Sequence, residues 1–201
     1  MFRSTWILIL TFAVGGYAEV AAQKNPQITV VVYNDAAISV RVIKSAQQTA
    51  GTIYRDAGVA IIWKDHSDPA TGATELFVRI VRRSLNLRGE DFGIAFVGGD
   101  GRGVQADVFS SGIEQLTNNT SASAAQIMGH VMAHELGHLL LGMNSHSSLG
   151  IMQAHWSDQQ LRLMSKGILK FDKRQAEAIA ARLISADPVP QIAAELHGIN
   201  P

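Results

Sequence analysis

Cysteine is absent from the 201-residue chain. That excludes a disulfide framework and any thiolate metal ligand, so stability has to come from a hydrophobic core. A chain of this length with 47% apolar residues can supply one. Charge of a single sign is lacking as well, since 17 Lys+Arg stand against 17 Asp+Glu. A chain without net charge has no electrostatic footprint for nucleic acid or an anionic membrane surface, so neither is expected as a partner. Internal repeats, low-complexity tracts and linkers are also missing, which leaves one soluble domain as the expectation. The glycine-rich stretch Gly98–Gly103 lacks the GK[ST] ending of a phosphate loop and the ordered oxygen ligands of a calcium loop, so it reads as a hairpin turn.

The longest apolar run lies at the N-terminus, from Trp6 to Val14, behind the single basic residue Arg3. It is too short for a comfortable membrane span. With Val20-Ala-Ala22 before Gln23, the charged, apolar and small segments follow in the order of a secretory signal peptide. We therefore expect a signal peptide over 1–22, one domain over 23–201, an extracytoplasmic location and no stable membrane association. The alternative is a retained N-terminal anchor. Few residues separate Gln23 from the first strand, which leaves no room for a folded pro-domain.

Along the chain, the β-branched run Ile28–Tyr33 reads as a strand, Ala37–Ala57 has helical apolar spacing, and Val59–Trp63 is a second strand. Leu76–Val81, Asp91–Val97 and Val104–Phe109 read as further strands. Ser121 or Ser123 then caps a long apolar helix. Ser157-Asp-Gln-Gln160 and Asp172-Lys-Arg-Gln175 have capping-box spacing, so two more helices follow. The tail from Asp187 carries two prolines and reads as irregular.

The chemistry concentrates in the long helix and the turn after it. His134 and His138 are four residues apart, about 6 Å along a helix axis and on nearly the same face. Two imidazoles so placed can grip one zinc ion. Glu135 can then reach a water at the metal's open position and take its proton. Gly142 lets the chain leave the helix, and His146 follows within reach of the same ion. Three protein ligands and one open position are the pattern of a catalytic zinc. The surroundings (Ile127, Met128, Val131, Met132, Leu136, Leu139–Leu141) are apolar around most of the helix. Two histidines and a glutamate buried there without a partner would be costly.

The run HELGHLLLGMNSHSSLGIM resembles the metzincin clan of zinc peptidases, and within it the matrixin-like pattern HExGHxxGxxHS followed by a methionine. His134, Glu135, Gly137, His138, Gly142, His146, Ser147 and Met152 match that pattern in order. The resemblance implies that His134, His138 and His146 bind zinc, that Glu135 is the general base, and that Met152 forms a tight turn beneath the metal. It also implies an α+β, zincin-like domain: a twisted mixed β-sheet, an active-site helix and C-terminal helices. In such domains the strand matching Gly93–Val97 is the antiparallel edge above the cleft. The spacing departs from the pattern, with Gly142 one residue and His146 two residues further from His134.

Other residues compete for roles. His155 is the rival third ligand, but it lies beyond Met152 and just before a helix cap, so His146 is preferred. His130 shares the face of His134 and suits the cleft wall, a bond to a ligand, or core packing. His66 belongs to a polar loop with Asp65 and Asp68, and Trp156 packs either under the site or as a core anchor. An oxyanion-stabilising Tyr is unassigned, because Tyr33 and Tyr54 are both distant from the zinc segment in sequence. The expectation is an exported zinc endopeptidase acting on peptide or protein. The alternatives are a catalytically idle zinc-bound binding protein, against which the intact Glu135 argues, and a zinc hydrolase of a non-peptide amide.

Overall fold

The computed structural model of the chain describes residues 26–69, 75–82 and 92–185. The expected signal peptide and the tail from Asp187 lie outside the described residues. Five strands form one sheet: β1 (Gln27–Asn34), β2 (Ala60–Asp65), β3 (Glu75–Val81), β4 (Gly93–Phe96) and β5 (Gln105–Phe109). Their order is β2-β1-β3-β5-β4, with β4 antiparallel to β5 and every other pairing parallel.

Parallel neighbours need a crossover, and helix α1 (Val40–Asp56) supplies it between β1 and β2. The helix starts three residues later than its apolar spacing suggests, because the Ser39 side chain accepts the Val42 N–H and caps it there. Its buried stripe of Ile43, Ala46, Ala50, Ile53 and Tyr54 packs on the sheet face presented by Val30, Val32, Leu76, Val78, Ile80, Ala106 and Val108. Strand period two puts these residues on one face, since Val30 pairs with Leu76 and Val32 with Val78 in register.

Helix α3 (Ala124–Leu141) occupies the same side and is buried around nearly its whole circumference. Of the two candidate caps, Ser123 is the one used, in a full capping box with Gln126. Helices α4 (Asp158–Ser165) and α5 (Lys173–Ile184) start at the capping boxes expected from sequence. Helix α2 (Ser110–Asn118) was not expected. It is capped by no side chain and packs beside α3. Among the described residues no helix is long and apolar enough to cross a membrane.

Candidate metal centre

His134 and His138 project from one face of α3, and the turn after Gly142 returns His146 to them. The three Nε2 atoms converge: that of His138 lies 3.0 Å from His134 and 3.1 Å from His146. These are the only described residues whose His, Cys or carboxylate ligand atoms gather in this way. His155 lines the same cleft but stands outside the cluster. Of the two extra residues before His146, one lies before Gly142, where α3 runs on to Leu141, and the other in the exposed turn around Asn144, whose φ is +59°.

At His134 the other ring nitrogen fixes the tautomer. His134 Nδ1 lies 2.8 Å from the Ile151 carbonyl, which can only accept, so the proton sits on Nδ1. His138 Nδ1 lies 2.7 Å from Ser145 Oγ. Burial, first of all, and then the neighbouring histidines push His134 down to about 4 and His138 to about 3. At neutral pH both are uncharged imidazoles, and that of His134 presents a bare Nε2 lone pair. Three imidazole nitrogens converging at this range can direct their lone pairs at one cation. Zinc–nitrogen bonds of about 2.0–2.1 Å in a tetrahedral set place ligand nitrogens roughly 3.3 Å apart, so these residues fit a zinc ion.

Beneath the cluster, Gly137 makes close packing possible. A β-carbon there would stand 2.6 Å from Met152 Sδ and 3.0 Å from Phe171 Cε1. Met152 is fully buried, and its carbonyl accepts the Ser147 N–H at 2.9 Å. Of the two readings of Trp156, packing at the site is the one observed: it is half-buried and lines the cleft. Its indole Nε1–H donates to the Ile151 carbonyl at 3.1 Å, and its ring packs edge-on against His134 at 5.6 Å.

Glu135 is buried beside His134 and lines a cleft of roughly 820 Å³. One wall is β4, through Gly93, Ile94 and Ala95; the other is α2, through Gly112, Gln115 and Leu116. Among the described residues β4 is hydrogen-bonded to β5 alone and forms the sheet edge, as the edge-strand expectation required. The loop after it is a hairpin turn, closed by Gly98 N–H to Arg102 O at 2.7 Å, with Asp100 Oδ1 accepting the Arg102 N–H.

The remaining candidates fall elsewhere. His130 is core: its Nδ1 lies 2.7 Å from the Gln126 carbonyl and burial lowers its pKa. Its Nε2 has no hydrogen-bond partner among the described residues, although the Leu169 backbone lies close enough to favour its charged form. His66 sits in an exposed turn, 5.7 Å from the Tyr33 ring. Tyr54, distant in sequence, is not distant in space. It lies fully buried behind α3 with its hydroxyl 3.2 Å from the Ala133 carbonyl, next to His134. It takes no part in the cleft lining, so it supports the helix rather than facing a substrate.

No protein-family model matches the chain, and no curated protein matches it at significance. Solved structures do. A zinc-dependent peptidase from Methanocorpusculum labreanum aligns with TM-score 0.53 at 12% identity, over 75% of this chain and 99% of that one. An archaemetzincin from Methanopyrus kandleri aligns with TM-score 0.51 at 14% identity, over 82% and 99%. The chain therefore shares its fold with zinc-dependent peptidases. Its group of three histidines fits a zincin site.

Proposed function

We propose that this chain is an exported zinc metalloendopeptidase of metzincin type, with His134, His138 and His146 as metal ligands and Glu135 as general base. The observation that carries the reading is the convergence of three Nε2 atoms beside a buried carboxylate, at the foot of a cleft walled by an unpaired strand edge. Bound at these histidines, zinc would supply a Lewis acid that lowers the pKa of a water towards ~7 and polarises a carbonyl. Glu135 accepts a proton from the attacking water and delivers it to the departing amine. Its burial beside the ligands keeps that transfer away from bulk solvent. Among the described residues no strand pairs with the outer edge of β4, so an extended peptide adds to the sheet there as a further strand across the cleft. Main-chain bonds of that kind hold many sequences alike.

Peptide is favoured over a small amide because the edge strand runs along the cleft, where only an extended chain would use it. The matrixin-like details and the exported location rest on the sequence motif and the N-terminal pattern. The test is hydrolysis of a diverse peptide mixture by the mature protein, with and without a chelator. Chelator-sensitive cleavage supports the reading, and metal binding without cleavage of any peptide leaves the idle binding protein instead. Mass spectrometry of protein exported by its own host should show an N-terminus near Gln23.

A further inference from the structure

His134 and His138 are fixed by the helix that carries them, whereas His146 sits exposed in the turn between Gly142 and Ile151. On one side of it, Ser145 is tied to α3 through His138 Nδ1 at 2.7 Å. On the other side, the Ser147 hydroxyl donates to the Leu149 carbonyl within the turn at 2.6 Å, and its N–H donates to the Met152 carbonyl just beyond it at 2.9 Å. A third bond comes from helix α5, where Gln175 Nε2 donates to Ser147 Oγ at 2.9 Å.

Gln175 is buried, at 8% exposure, and also serves the capping box of α5. Its Oε1 accepts the Asp172 N–H at 3.0 Å, and its own N–H donates to Asp172 Oδ1 at 2.9 Å. The cap uses only the side-chain oxygen, and glutamate at this position would serve it as well. The amide nitrogen is what glutamate lacks, and that nitrogen is the atom bonded to Ser147. In the capping box of α4, the equivalent Gln160 turns its oxygen to Ser157 and takes no part in the cleft lining. We infer that Gln175 is a positioning residue for the third metal ligand: α5 holds the His146 turn in binding register through the bond from Gln175 Nε2 to Ser147 Oγ. This rests on the three-histidine reading of the metal site.

The test is Gln175→Glu in the full mature protein, with zinc affinity measured by chelator competition and ligand geometry by the absorption spectrum of the cobalt-loaded form. Losing a partner that orients a ligand typically weakens metal binding 10–100-fold. A loss in that range with an altered cobalt spectrum is expected, while Gln160→Glu, which keeps the corresponding cap, binds zinc as wild type does. Ser147→Ala breaks the same bond from the other side, so it should weaken zinc comparably, and the double variant should be little weaker than either single one. Ser147→Ala also decides the matter should Gln175→Glu fail to fold. Wild-type affinity in either Gln175→Glu or Ser147→Ala, while His146→Ala has lost zinc, overturns the inference. Wild-type affinity in His146→Ala removes the metal-site reading beneath it, and the inference falls with that.

Discussion

Gly93 faces Glu135 so closely that a β-carbon on it would stand 2.7 Å from both Cγ and Oε1 of that side chain. The strand offered to the substrate and the proposed base are thus in direct apposition, and the absence of a side chain at 93 seats the carboxylate. Asp107 O, 2.9 Å from the same imagined carbon, closes the other side, so the space cannot open by a small shift of one neighbour.

Gly93→Ala should therefore displace the carboxylate while leaving the three histidines untouched. Misplacing a reacting group by about 1 Å costs on the order of 10² in rate. A fall in kcat of that size is expected, with zinc content unchanged. Steady-state kinetics on any cleaved peptide, with metal analysis, checks it. Near-normal kcat would mean that Glu135 does not need its present seat.

Much of the site was legible because its signals are local. His134, Glu135 and His138 are set by helical spacing, and Ser157-Gln160 and Asp172-Gln175 by their capping boxes. The α2 wall was not legible. Ser110–Asn118 buries only Ser110 and Ile113, starts from Phe109 without a side-chain cap, and so offers neither periodicity nor a start signal. Its helical state comes from packing beside α3. The place of Tyr54 behind α3 was not legible for a related reason: its contact with Ala133 spans 79 residues, and no sequence period encodes such a distance. The role of Gln175 was half legible, since spacing shows its cap to Asp172 but not its second bond, to Ser147.

His146 and His155 can be told apart by substitution. His146 belongs to the converging group and His155 does not, so His146→Ala should lose zinc affinity by far more than His155→Ala does. Chelator competition on both variants checks it, and the reverse order would exchange the assignment.

The metal-free protein should lose stability as pH falls. Burial depresses His134 to about 4 and His138 to about 3, and lowers His130 and His146 as well. In the unfolded chain the same groups titrate near ~6.5. Between those values the unfolded state binds protons that the folded state refuses, so stability is full above about pH 6.5 and declines towards about pH 3. Urea denaturation of the chelated protein at pH 7.5 and 5 should show a lower midpoint at pH 5. A midpoint that stays level or rises would contradict the buried, neutral histidines.

The most direct measurement of the central claim is a side-by-side digestion of one peptide library by wild type and Glu135→Ala, each assayed for bound metal. About one zinc per chain is expected in both, the stoichiometry of a single catalytic site. Wild type should cleave peptides and stop when chelated, while Glu135→Ala should keep its zinc and cleave nothing above background. Equal cleavage by the two proteins, or zinc in neither, would contradict it.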